Sequence, residues 1–349
     1  MDQEISPRGR KAVLNWLMTG IVMIIIMIAI GGITRLTHSG LSMVDWKPIM
    51  GSIPPLNDAE WEASFEKYKA FPEYQIINYD MSLSEYKSIF FWEYIHRLWG
   101  RIMGLVFIVP FVIFWRKGYL KAPWFKRFAW IVVGGGLVGG LGWFMVVSGL
   151  KDKPEVSHYR LAIHLIAAFS LLIYIYWNYL KFKFGENQRP HMIIKGAVWL
   201  IAIAYLQIVY GAFVAGMKAG LIHNTFPLMG DSLIHENTFA LSPFWENLVQ
   251  HKDGVQFIHR YVAYILAGAI LFVAYKFTSK SNGELKRSLQ FAPAMVLIQF
   301  LLGVLTLIMY VPVSLGVIHQ LGAIILLISL FRLQFFNKYS DTNAAPAPA

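Results

Sequence analysis

Residues 93–104 place a carboxylate, an imidazole and two guanidinium groups at the mouth of an apolar stretch: Glu93, His96, Arg97 and Arg101. Ionisable groups are costly inside a membrane and usually mark a functional site. Far downstream, Gln256-Phe257-Ile258-His259-Arg260-Tyr261 repeats the phrase with Gln in place of Glu. Two more histidines lie inside apolar stretches, His164 and His319. Each of the four is a few residues in from the outer end of its span.

A lone interfacial imidazole is more often a hydrogen-bonded structural group than a ligand. Four at repeat-equivalent positions favour ligands. A pair of imidazoles per helical bundle, with no thiolate or carboxylate cluster, suits bis-histidine haem ligation. A zinc site would want three or four ligands close together. Small residues follow each histidine by one turn: Gly100, Ala168, Ala263 and Ala323. They read as clearance for a flat macrocycle edge, or as ordinary small-residue packing. Arg97, Arg260, Arg35 and Arg101 can pair with haem carboxylates, or snorkel toward headgroups. Glu93 stands three residues before His96 on nearly the same helix face. It is the candidate catalytic group, able to exchange protons near neutrality from a partly apolar pocket. The alternative is a salt bridge to Arg97 or Arg101. Its counterpart Gln256 cannot ionise, so the first half reads as reactive and the second as an electron carrier.

The elements that must position these groups are membrane spans. Hydrophobic residues make up 56% of the chain and charged residues 15%, the balance of an integral membrane protein. Apolar runs predict eight spans at roughly 13–34, 93–115, 125–147, 159–180, 194–216, 256–277, 290–311 and 314–335. Helices are the spanning form for such runs. There is no Cys, which excludes disulfides and thiolate chemistry. The net charge of +11 is a topology signal and not a nucleic-acid footprint. Arg8, Arg10 and Lys11, then Arg116 to Arg127, Lys181 to Lys195 (with Arg189) and Lys276 to Arg287 all fall on one side. The positive-inside rule makes that side cytoplasmic, with both termini on it. The acidic residues concentrate on the other side. The N-terminus lacks the features of a signal or transit peptide, which favours a bacterial plasma membrane over a mitochondrion. The tail 341–349 reads as disordered.

Two outer connections are long. In 37–92, Asn57 or Asp58 should cap a short helix through Lys69, with Trp61, Phe65 and Tyr68 on one face. Trp46 and Pro48 belong to the same connection. Ser82 and Glu85 form a capping-box pattern that leads a second short helix into the next span. In 217–255, Ser242-Pro243 should open another. Aromatic content suggests caps lying on the outer membrane surface. Trp92, Trp99 and Trp124 read as an interface belt. The glycines between Gly134 and Gly142 read as close backbone packing. His38, His158, His191, His223, His235 and His251 are expected in ordinary polar roles.

The halves repeat. Gly31–Leu41 aligns with Gly211–Leu221, Glu93–Arg97 with Gln256–Arg260, and Ala162–Leu165 with Val317–Gln320. The expected fold is all-α: two tandem four-helix bundles, 1–185 and 186–340, related by a pseudo-two-fold axis along the membrane normal.

Several motifs carry a family resemblance. They are Gly31-Gly32-Ile33-Thr34-Arg35-Leu36-Thr37-His38-Ser39-Gly40-Leu41-Ser42-Met43, the run from Trp46 to Pro55, Pro72-Glu73-Tyr74, the phrase at 93–104, and Phe114 to Gly118. Asn224 to Ser232, Phe257 to Arg260, Met309 to Pro312 and His319-Gln320 complete the set. Over nearly its whole length the chain resembles haem A synthases, in the branch without an outer-loop cysteine pair. The resemblance implies a membrane oxidoreductase that converts the methyl group of haem O to a formyl group by successive hydroxylations. It implies that His96 and His164 flank the substrate haem, that His259 and His319 ligate a haem b cofactor, and that Glu93 is catalytic. Implied partners are haem O, membrane lipid, and by pathway logic haem O synthase and oxidase assembly factors; a homo-oligomer is also open. The competing reading is a dihaem b-type electron-transfer protein with no chemistry on the macrocycle. It expects equivalent halves, which the Glu93/Gln256 difference disfavours.

Overall fold

A computed structural model describes residues 5–43, 53–147, 155–187 and 192–339. Trp46, Pro48, Arg189, His191 and the tail 341–349 lie outside these. The described residues form helices α1 (Pro7–Leu36), α2 (Asp58–Lys69), α3 (Pro72–Ile76), α4 (Leu83–Arg116), α5 (Trp124–Val147) and α6 (His158–Phe184). Then follow α7 (Ala197–Gly216), α8 (Trp245–Val249), α9 (Lys252–Phe277), α10 (Gly283–Ile308) and α11 (Val313–Lys338). Eight are long and apolar enough to cross a membrane: α1, α4, α5, α6, α7, α9, α10 and α11. The protein is thus a multi-pass, all-helical membrane protein. It divides into two compact units, Met1–Ala168 and Phe169–Ala349, with the division running through α6.

The helices outrun their apolar stretches because caps, not hydropathy, set their ends. Ser6 accepts from the Gly9 amide and starts α1 at Pro7. Ser82 and Glu85 make a reciprocal capping box. The helix they start is not a separate short one: it runs without a break into the span, giving 34 residues from Leu83 to Arg116. At 1.5 Å per residue that is about 50 Å, well beyond an apolar bilayer core of about 30 Å. Asn57 caps α2 through the Glu60 amide, as its sequence indicates. α8 opens two residues after Pro243, at Trp245.

In the first unit α1 lies against α4. Trp16 donates to the Val106 carbonyl at 3.0 Å and Trp99 to that of Met23 at 2.9 Å. Trp99 is therefore a bundle contact and not a belt residue. Phe107 fills the space over Gly20, where a Cβ would lie 2.1 Å from the ring. The short helix α2 caps the N-terminal turns of α4 through a buried aromatic cluster of Phe65, Tyr68, Tyr86 and Phe90. α5 buries only Phe128 and Ile131. Among the described residues, a Cβ at Gly135, Gly136, Gly139 or Gly140 would meet nothing within 4 Å, so these four do not serve close packing against them.

The second unit is more tightly tied. Asn337 near the end of α11 accepts from the Ile194 amide at 2.9 Å and donates to its carbonyl at 3.0 Å. Asn224 donates to the carbonyls of Gly220 and Leu307. Glu284 at the start of α10 pairs with Arg332 of α11.

Candidate functional site

Each of the four in-span histidines rests against a glycine of another helix in its unit. A Cβ built on Gly31 of α1 would lie 3.1 Å from His96 Nε2; on Gly142 of α5, 3.0 Å from His164 Cε1. On Gly211 of α7 it would lie 3.1 Å from His259 Cε1, and on Gly303 of α10, 2.9 Å from His319 Cε1. The Gly303 approach is closer than real Cβ atoms come, and the other three are tighter than nine in ten real Cβ contacts. A methyl at Gly303 would force the ring to shift, and at the other three the ring would have to give by a few tenths of an ångström. The two imidazoles of each pair lie near one another, His96 by His164 and His259 by His319. The small residue one turn on plays a separate part: Gly100 abuts Met27 of α1.

The units differ in how the rings are held. One turn before its glycine, Gln207 places its amide nitrogen 3.1 Å from His259 Nδ1. Gln299, likewise one turn before Gly303, approaches His319 Nδ1 at 3.2 Å and donates to the His319 carbonyl at 3.0 Å. Gly322 leaves the notch in which Gln299 sits. The carbonyl oxygens of both glutamines are buried without a partner. In the first unit the corresponding positions are Met27 and Val138, which offer no side-chain hydrogen bond. His164 faces the Val138 backbone, and its buried Nδ1 does not reach hydrogen-bond geometry with it. Sequence reasoning missed the seats and the glutamines, because periodicity along one helix does not say which residue faces it from another. The alignment of Gly31 with Gly211 was the available signal.

Glu93 is 3% exposed and faces three donors. Its Oε2 accepts from the Ser42 hydroxyl and the Met43 amide, both at 2.7 Å. Its Oε1 accepts from Arg97 at 2.5 Å, the i to i+4 salt bridge that the sequence left open. Arg97 also donates to the Met43 carbonyl at 2.9 Å. Ser42 connects outward, its carbonyl accepting from Tyr86 at 3.3 Å while that hydroxyl contacts Ser64 of α2 at 2.7 Å. A polar chain therefore joins the outer cap to Glu93.

Gln256 occupies the equivalent place with reversed polarity. Its amide nitrogen donates to the carbonyls of Ala219 and His223, and its oxygen accepts from Arg260 at 3.4 Å. Arg260 is buried and spends its terminal nitrogens on the carbonyls of His223, Thr225 and Leu228. Only its Nε lacks a partner. Arg35 lies in the last turn of α1, and Arg101 stands one turn beyond Arg97 on α4. Both units thus use an acid or amide and the arginine four residues on to bolt down the segment after the preceding span. Only the first unit does so with a carboxylate.

Residues 14–331 match the family model described as cytochrome oxidase assembly protein. The chain belongs to this family. A protein from Flavobacterium psychrophilum named heme A synthase is 46% identical over 338 residues, covering 95% of this chain and all of that protein. One of the same name from Flavobacterium johnsoniae is 47% identical over 332 residues, covering 92% of this chain and 96% of its own length. A third, from Rhodospirillum centenum, is 42% identical over 335 residues, covering 92% and 87%.

Proposed function

We propose that this chain is a haem A synthase, oxidising the methyl group of haem O to a formyl group by successive hydroxylations. The observation that carries the reading is the set of four histidine seats, two per unit, in a chain whose relatives bear that name. His96 and His164 hold the substrate haem, and His259 and His319 a haem b cofactor. The glutamines support that division. A resident cofactor suits imidazoles fixed from behind; with iron at Nε2 the proton sits on Nδ1, and the amides of Gln207 and Gln299, which lie against Nδ1, would turn their unpartnered oxygens to accept from it. A macrocycle that must enter and leave suits the less restrained pair beside Met27 and Val138. Haem b, when bound, supplies one-electron transfer.

Glu93 is the catalytic residue in this reading. It stands one turn from His96, and its carboxylate takes up a proton or stabilises positive charge developing on the substrate. Arg35, Arg97, Arg101 and Arg260 are the candidate partners of haem carboxylates, with Arg260 Nε still available. The membrane is a bacterial plasma membrane with both termini cytoplasmic, and haem O synthase is a candidate donor of substrate.

The test is to purify the protein from cells that make haem O, extract its haems and separate them chromatographically. Haem b together with haem O, a hydroxylated intermediate or haem A is the expected result. Haem b alone would remove the synthase reading and leave a dihaem electron carrier.

A further inference from the structure

Three histidines expected in ordinary polar roles converge on one carboxylate. Asp253 lies in the first turn of α9. His223 Nε2 is 2.7 Å from its Oδ1, and His235 Nδ1 is 3.1 Å from the same oxygen. The ligand atoms of the three residues all lie within 4.8 Å of one another. His251 Nε2 approaches the other carboxylate oxygen at 3.7 Å. The His223 and His235 rings stand 4.3 Å apart.

One contact points to a cation. His235 Nδ1 accepts from the Asn237 amide at 3.3 Å, so its lone pair faces donors. Yet the same atom is pressed against a carboxylate oxygen. Two acceptors in contact need a proton or a metal ion between them, and the convergence of a second imidazole nitrogen, His223 Nε2, on the same oxygen favours the ion. We propose that His223, His235 and Asp253 form a binding site for a late first-row divalent cation such as zinc, with His251 orienting the carboxylate. Two imidazoles and one carboxylate suit that class of ion. Tetrahedral ligands at zinc distances lie about 3.3 Å apart, so the two contacts to Asp253, at 2.7 and 3.1 Å, would open by roughly 0.6 and 0.2 Å to admit the ion. The site is partly exposed, with 13%, 26% and 15% of the three side chains accessible, which leaves an ion a way in and room for water as a further ligand.

The cation would join three segments distant in sequence. The His223 carbonyl already accepts from Arg260 at 2.7 Å, and Asp253 lies six residues before His259 on the same helix. Metal here ties the outer connection to the helix that carries His259. The site is independent of the synthase reading.

The experiment uses the full-length detergent-solubilised protein, stripped with chelator and titrated with cobalt(II) alone, then with zinc(II) as competitor. One equivalent of cobalt with visible ligand-field bands, displaced by zinc, is expected. Asp253→Asn and, separately, His235→Ala should each weaken binding by roughly 100-fold. The double variant His96→Ala/His164→Ala should bind as the parent does. His235→Ala, at the most exposed of the three ligands, decides the matter if Asp253→Asn does not fold. The proposal is overturned if the parent binds no cobalt, leaving an imidazolium–carboxylate cluster only. It is equally overturned if the cluster variants bind as the parent does, or if binding is lost with His96 and His164.

Discussion

At four positions a hydrogen atom in place of a methyl lets an imidazole lie tightly against another helix, and most tightly at Gly303. Gly303→Ala would put a Cβ 2.9 Å from His319 Cε1. Overpacking of this kind costs about 1–3 kcal/mol, so haem retention in the second unit should fall roughly tenfold or more, read as the Soret band per chain after gel filtration. Gly139→Ala, whose Cβ meets nothing, should leave haem content unchanged. Glu93→Gln asks a different question. An amide in that place must turn a donor toward Arg97 or toward Ser42 and Met43, so the bolt loosens as the charge is lost. Haem b is expected to stay and haem A formation to disappear, measured on extracted haems. Full activity would take Glu93 out of the mechanism. The identity of Glu93 as the odd member of a repeated phrase was legible in the sequence. Its partners Ser42 and Met43, about fifty residues earlier, were not, because nothing local marks a hydrogen bond from a loop to a distant helix.

Among the elements, α4 shows where hydropathy and helicity part. Ser84, Glu85, Lys87 and Ser88 end the apolar run but not the helix, which continues back to its capping box at Ser82. Hydropathy locates the membrane, and the cap locates the helix. The outer turns thus gained carry Tyr86 and Phe90 into the aromatic cluster under α2. At its centre Tyr68 is fully buried, donating to Glu73 at 3.0 Å and accepting from Asn78 at 2.8 Å. Burial, and then the Glu73 charge, raise the Tyr68 phenol above its ordinary range. The folded cap therefore holds this proton more tightly than the unfolded chain does. Its contribution is complete below the unfolded value of about 10 and declines as pH rises past it. Trp61 fluorescence should report loosening of the cap above about pH 10. Tyr68→Phe should flatten that dependence, at a cost near neutrality of about 1–3 kcal/mol for the lost hydrogen bonds.

For the whole molecule, the repeat was the most informative feature of the sequence: the in-span histidines and the Glu93/Gln256 contrast follow from it. Features built from segments far apart did not follow. His223, His235 and Asp253 sit in three separate stretches with no shared spacing, and only the folded outer connection brings them together. The two units also make a joint prediction. His259→Ala/His319→Ala should lose nearly all haem b, whereas His96→Ala/His164→Ala should keep it and lose haem A formation, both read from pyridine haemochrome spectra. The bolt at Glu93 has a mechanical corollary. Lifting Ser42 and Met43 would strip two of three donors from a carboxylate that water scarcely reaches. Hydrogen bonds to charged groups are worth about 1.5–3 kcal/mol each, so displacing this segment would cost roughly 3–6 kcal/mol unless an incoming group offered Glu93 donors or positive charge of its own.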